Sequence, residues 1–184
     1  MPAAYIGTVT DRIDMWLISP VSRFDAAAVS WCATRRRAAT DGIMRMATRL
    51  GDGPAYFLGS LVLAAAVQNG EVILRQFLVA FALELSLYQL LKKALRRPRP
   101  FAVLAGVPMG VTPPDEFSFP SGHTAAAAVF MVISSASVPA LLPVLLPLTV
   151  LIGASRVYLG VHYPTDVIAG AALGVGCGWL GLLW

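Results

Sequence analysis

Charge is scarce in this sequence. Only 13% of its 184 residues are Asp, Glu, Lys or Arg, where a soluble domain carries about a quarter. That shortage excludes an ordinary soluble domain and a nucleic-acid-binding surface, since the formal net charge is only +4. Cysteine is nearly absent too: Cys32 and Cys177 form no close-spaced pair, which excludes a disulfide framework and a zinc cluster. The only histidines are His123 and His162, too few for a histidine-rich metal site. Internal repeats are lacking, so a solenoid is excluded. What fills the chain instead is apolar: 57% of residues are hydrophobic and mean hydropathy is +0.71. The length allows one core, and the composition places it in a membrane.

Apolar segments run over residues 54–67, 72–91, 124–138, 140–154 and 165–184. A bilayer core takes roughly 20 residues of helix, so the shorter runs must borrow adjoining turns. Pro143 and Pro147 fall within the fourth run and are expected to kink it. Residues 101–119 carry Gly106, Pro108, Gly110, Pro113 and Pro114 and read as an irregular loop. Before residue 50, Arg12, Arg23, Asp25 and Arg35-Arg36-Arg37 interrupt every apolar run. Phe24, Ala28, Trp31 and Cys32 recur there at helical spacing, which predicts an amphipathic helix in the interface. The patch at residues 15–18 is too short for a cleaved leader. The expected fold is therefore all-α: a polytopic bundle of five membrane helices, with a sixth between residues 15 and 33 as the alternative. An N-terminal segment, 1–50, precedes a transmembrane domain, 51–184.

The chemistry concentrates in three short blocks. Lys92 is followed seven positions later by Arg99-Pro100; Pro120-Ser121-Gly122-His123 opens the third span; Ser155-Arg156, His162 and Asp166 bridge the fourth and fifth. Counting reversals in the five-span arrangement puts all three on one membrane face. Arg99 and Arg156 offer planar forks for phosphate oxygens, and Lys92 a point charge. Ser121 and Gly122 precede a helix, so their amides can form an anion nest. Asp166 lies four residues beyond His162 and can orient the imidazole, leaving its other nitrogen to attack phosphorus. His123 would then move the proton of the leaving group and of the incoming water.

These three blocks resemble the signature of the type 2 phosphatidic acid phosphatase superfamily at every signature position, in order and in spacing. The likeness covers residues 50–184, including the Leu50-Gly51-Asp52-Gly53 turn. It implies a helical bundle that hydrolyses a lipid phosphate or diphosphate through a phosphohistidine at His162, with no metal or cofactor and with His123 as acid and base. It also implies that Lys92, Arg99, Ser121, Gly122, His123 and Arg156 hold the phosphate. Hydropathy favours the bacterial lipid phosphatases, acting on undecaprenyl diphosphate, phosphatidylglycerophosphate or phosphatidic acid, over the soluble members.

Each block alone has a plainer reading: a juxtamembrane anchor, a turn, or an interfacial charge cluster. Lys93, Arg96 and Arg97 are read as surface charge meeting headgroups, and Asp115 and Glu116 as loop residues facing water. Glu84, eight residues before Lys92 on the same helix face, is read as half of an ion pair or interhelical hydrogen bond. Gly170, Gly174 and Gly178 form a small-residue stripe for packing inside the molecule, Trp179 a core residue and Trp184 an interfacial anchor. Two other functions are open: phosphotransfer to an acceptor other than water, and a non-catalytic lipid-binding scaffold. The expected partners are the lipid substrate and the bilayer, with no nucleic acid. The location expected is the bacterial inner membrane. Of the fourteen Lys and Arg, all but Arg75 fall on the site face, which by charge bias alone is cytoplasmic; the resemblance implies the periplasmic side, the side expected here.

Overall fold

The computed structural model describes residues 20–184, so Arg12, the patch at 15–18 and the start of the alternative sixth span lie outside the described residues. Every regular element among the described residues is helical. Two N-terminal helices, α1 (Pro20–Thr34) and α2 (Ala38–Arg49), lead into α3 (Gly53–Ala66) and α4 (Gly70–Leu95). A four-residue turn, α5 (Pro100–Val103), starts the long loop to α6 (Gly122–Ser137). A single 3-10 turn, Pro139–Leu141, precedes α7 (Leu142–Tyr158), and α8 (Pro164–Gly181) closes the bundle. Each apolar run of the sequence is therefore a helix. Pro143 does not kink α7, because it lies in the first turn, where its missing N–H costs nothing; Pro147 alone is interior.

The burial pattern is reversed from that of a soluble protein. Arg99 and Arg156 are each 2% exposed, whereas Leu78 is 72% exposed and Phe57, Val62, Val144, Val150 and Ile168 also point outward. Water would penalise such an exterior and hydrocarbon would not. Trp179 belongs to that outer surface at 64% exposure and is not the core residue its sequence context predicts. One helical stretch, Pro139–Tyr158, is long and apolar enough to cross a bilayer by itself; Gly53–Ala66 and Gly122–Ser137 are apolar but shorter. Acidic and basic residues dilute α4, and glycines dilute α8.

Those glycines are structural. A Cβ at Gly174 would strike the Ala125 carbonyl, and one at Gly170 the Ser121 carbonyl, so α8 lies backbone-to-backbone on α6. At Gly181 the added Cβ would meet Ala80 of α4 at 2.7 Å. The stripe thus packs within the molecule, and it sets the start of α8 beside the start of α6. Ile73, Phe77, Ala80, Val129, Ile133 and Cys177 complete the core between α4, α6 and α8.

Helix α1 presents Phe24 and Trp31 outward, while Ser22, Asp25 and Val29 face the protein. Its apolar stripe therefore looks away from the bundle, and its acidic face is the one that docks.

Candidate active site

The three blocks of the sequence meet at one end of the bundle. Lys92, in the last turn of α4, donates from Nζ to both oxygens of Asp115 at 2.7 and 2.8 Å and to the Tyr88 hydroxyl at 2.5 Å. Arg99 donates from Nη2 to Asp115 Oδ1 at 2.7 Å and from Nη1 to the Val161 carbonyl at 2.7 Å. Its Nη1 also stands 3.3 Å from His162 Nε2. Arg156, at the end of α7, donates to Thr48 Oγ1 of α2 at 2.6 Å. Ser121 shares a 2.9 Å hydroxyl contact with Thr124, and its N–H donates to the Asp166 carbonyl at 2.9 Å.

That last bond corrects the expected nest. The Ser121 amide is spent on α8, so an anion here would meet the open helix end that starts at Gly122. The first intrahelical bond there runs from Ala125 N–H to the Ser121 carbonyl, leaving the three intervening amides free of carbonyl partners inside the helix. A Cβ at Gly122 would lie 2.9 Å from the Tyr88 ring, which is the physical demand for glycine.

His162 follows a tight turn in which Gly160 has φ +74, a conformation that strains other residues. The turn is tied down by Phe101 N–H on the Gly160 carbonyl and Gly110 N–H on the Leu159 carbonyl. The imidazole is 2% exposed and Asp166 fully buried. Nδ1 of His162 stands 3.6 Å from Asp166 Oδ2, an electrostatic contact longer than a hydrogen bond. Asp166 Oδ2 instead accepts the Tyr163 N–H at 2.8 Å, within a capping box at the start of α8. Arginine has no acceptor, so Nε2, facing Arg99, carries the lone pair and Nδ1 the proton. Burial pushes the His162 imidazole well below its ordinary value, and Arg156 and Arg99 push the same way against the pull of Asp166. The ring is neutral at pH 7, with its lone pair toward the cations.

His123 is placed differently. Its Nε2 stands 3.0 Å from Asp52 Oδ1, in the turn before α3. Both face an apolar cavity of about 780 Å³ between α3, α4 and α6, lined by Tyr56, Leu61, Leu74, Phe81 and Glu84 among others. Glu84 is buried on that wall without, among the described residues, the ion pair or interhelical hydrogen bond expected of it, and the Lys92 amine turns to Asp115 and Tyr88.

Two further expectations need correcting. Asp115 does not simply face water: it bridges Lys92 and Arg99. Burial alone would raise its carboxyl, but the hydrogen bonds from Lys92 and Tyr88 outweigh it and hold the carboxyl below the usual range. Arg97 is not a headgroup contact. It is buried between Asp25 and Asp166, each at 2.7 Å. Lys93, Arg96 and Glu116 are exposed, as expected. Sequence reasoning also missed Asp52, Thr48 and Tyr88 as partners. Tyr88 carried a signal in lying four residues before Lys92 on one helix face, and Asp52 in belonging to the Leu50-Gly51-Asp52-Gly53 turn; Thr48 carried none. Among the described residues no three of His, Cys, Asp and Glu converge as a metal-ligand set.

Cations buried at the end of an apolar bundle call for an anion, and two histidines beside them give that anion a reaction. The class so defined is a helical membrane enzyme of phosphate chemistry. A family model described as the PAP2 superfamily matches residues 73–184, and the chain belongs to that superfamily. It is 34% identical over 145 residues to the decaprenylphosphoryl-5-phosphoribose phosphatase of Mycobacterium tuberculosis, covering 74% of this chain and 77% of that one. The solved structure of LpxE from Aquifex aeolicus superimposes with a TM-score of 0.77 at 29% identity, over 87% of this chain and 95% of the other. The transmembrane PAP2-type phosphatidylglycerolphosphate phosphatase of Bacillus subtilis gives 0.72 at 27%, over 92% and 88%. The chain is thus a membrane phosphatase acting on lipid phosphates.

Proposed function

We propose that the chain hydrolyses a phosphate at the head of a long-chain lipid through a phosphohistidine at His162, without a metal. One observation carries the reading: the unprotonated Nε2 of His162 faces Arg99, while the second histidine looks into the apolar cavity. In the proposed cycle Arg99 turns from Nε2 to phosphate oxygens, together with Lys92, Arg156, Ser121 and the amides that begin at Gly122. Nε2 attacks phosphorus and the bond to the lipid oxygen breaks. His123, held by Asp52, gives that oxygen a proton. Asp166 supports the positive charge that grows on His162. Water then loses a proton to His123 and attacks phosphorus. The P–N bond breaks, inorganic phosphate leaves, and His162 is restored.

The lipid tail lies in the cavity between α3 and α4, and α3, α4, α6, α7 and α8 are the five membrane spans. Of the N-terminal segment 1–50, the described residues 20–50 are an interfacial helical segment, and 51–184 are the transmembrane phosphatase. The membrane is the bacterial inner membrane, with the site on the periplasmic side. For the substrate class, the relative named for decaprenylphosphoryl-5-phosphoribose favours a phosphate monoester carried on a polyprenyl lipid. Undecaprenyl diphosphate, phosphatidylglycerophosphate and phosphatidic acid are the alternatives, and transfer to an acceptor other than water is a second use of the same intermediate. The test is phosphate release from these four lipids with EDTA present, alongside His162→Ala. Turnover that EDTA abolishes, or that survives His162→Ala, would overturn the mechanism.

A further inference from the structure

Among the described residues a third arginine, Arg97, is buried alongside the signature cations Arg99 and Arg156. Arg97 stands within the first block, between Lys92 and Arg99, but at a position without a signature role, and it links α1 to the start of α8. Its Nη2 donates to Asp25 Oδ2 at 2.7 Å; its Nη1 donates to Asp166 Oδ1 and to Thr165 Oγ1, both at 2.7 Å. Asp25 in turn accepts the Thr165 N–H at 3.1 Å and a short bond from the Thr165 hydroxyl. The guanidinium also lies 4.0 Å over the Tyr163 ring. Both carboxylates are fully buried and Arg97 is 4% exposed. So closed a network costs much in desolvation and is poor value as a simple staple.

We infer that Arg97, clamped by Asp25, is a positioning residue: it fixes where the Asp166 carboxylate stands and how much of its charge reaches His162. This rests on the reading of His162 as nucleophile. The geometry gives the reason. Arg97 takes Oδ1 of Asp166 and the Tyr163 amide takes Oδ2, so His162 Nδ1 is left at 3.6 Å. The charged groups around His162 are Asp166 on its own segment, Arg97 and Arg99 from the stretch after α4, Arg156 from α7, and Asp25 from α1 behind Arg97. Asp25, Arg97 and Asp166 together sum to one negative charge. Remove Arg97 and two remain beside the imidazole, which then takes up a proton more readily. Remove Asp25 and Arg97 neutralises Asp166 more fully, with the opposite result.

That opposition separates positioning from mere stability, because a structural role would make both variants worse in the same way. The experiment is the pH profile of kcat/KM for lipid phosphate hydrolysis in detergent-solubilised full-length protein, with folding checked by circular dichroism. Arg97→Gln should move the acid limb up by about one pH unit, the shift a lost neighbouring charge produces. Asp25→Asn should leave the limb at or below its wild-type position, and Arg97→Lys should return it to the wild-type position. If Arg97→Gln does not fold, the double variant Arg97→Gln/Asp25→Asn removes both charges of that pair while Oδ2 of Asp166 keeps the Tyr163 amide. Because Arg97 touches Asp166 directly and Asp25 stands behind it, the limb should still move upward, by less than in Arg97→Gln. An unchanged limb in the folded variant that lacks Arg97, or a common shift in Arg97→Gln and Asp25→Asn, overturns the inference. His162→Ala distinguishes the two levels. Full turnover in that variant overturns the nucleophile and the inference together, whereas an inactive His162→Ala with an unmoved Arg97→Gln limb overturns the inference alone.

Discussion

His162 and His123 carry the same side chain in opposite surroundings. His162 is sealed: its ring is 2% exposed, its carboxylate fully buried, and that carboxylate is fixed by Arg97 and a backbone amide. His123 is open: its side chain is 17% exposed and its partner Asp52 53%, and both border the apolar cavity. A nucleophile gains from being neutral, dry and aimed, because protonation or a competing water would take its lone pair. A proton carrier needs the reverse, contact with the leaving group and with water. The surroundings of the two histidines suit the two tasks proposed for them.

The largest effect that would break the comparison belongs to the sealed end. His162→Ala should remove lipid phosphate hydrolysis by about four orders of magnitude or more, the scale seen when a nucleophile is deleted from a catalytic unit. Phosphate release with circular dichroism as the folding control reads this directly. Because burial holds His162 below its ordinary value, the neutral, reactive form persists as pH falls. The wild-type acid limb attributable to His162 should therefore lie below the free-imidazole range of about 6.5. An acid limb at or above that value would show that the ring is not sealed in the working enzyme.

The open end comes next. His123→Ala should cost about 10² to 10⁴ in kcat on a phosphate monoester. The cost should be smaller on a diphosphate, because a phosphate leaving group needs its proton less than an alkoxide does. Asp52→Asn should give a weaker copy of the same discrimination, since Asp52 acts only through His123. Equal losses on both substrates would show that His123 is not the proton donor.

How much of this contrast was legible follows from the ranges over which the physics acts. The apolar runs announce the helices, because hydropathy is local and each run became one element. Residues such as His123, Arg99 and Asp166 are visible because residue type and short spacing define them. Asp25, Arg97 and Thr165 were not visible: the hydrogen bonds from Thr165 to Asp25 that join the start of α8 to α1 span 140 positions, and no local pattern records them. Arg97 was hidden further by standing beside Arg96, which is exposed as charge patterning leads one to expect. The outward face of Trp179 was misread for a related reason. In a membrane a large apolar residue can point either way, so hydrophobicity stops predicting burial.

Asp115 tests the mouth between the two ends. Its carboxylate occupies Lys92 and Arg99 in the free site, so an incoming phosphate has to displace it. Asp115→Asn removes that competitor while keeping the shape. Inhibition by inorganic phosphate should tighten several-fold, with kcat changing less, on the usual strength of charge-assisted hydrogen bonds. Weaker phosphate inhibition in the variant would mean that Asp115 organises the cations for substrate instead of competing with it.

The smallest expected effect lies deepest along the open end. Glu84 lines the cavity about two turns of helix before Lys92, beyond the reach of the reacting phosphorus. A group there can touch only the part of a lipid behind its headgroup, and such contacts are the same in ground state and transition state. Glu84→Gln should therefore change KM for a long-tailed lipid phosphate by a few-fold and leave kcat unchanged, the pattern of uniform binding. On a short water-soluble phosphate monoester, which leaves the cavity empty, the variant should match the wild type. A kcat loss common to both substrates would place Glu84 in the chemistry of the His123 end. The apolar cavity would then be part of the proton path and not only a berth for the tail.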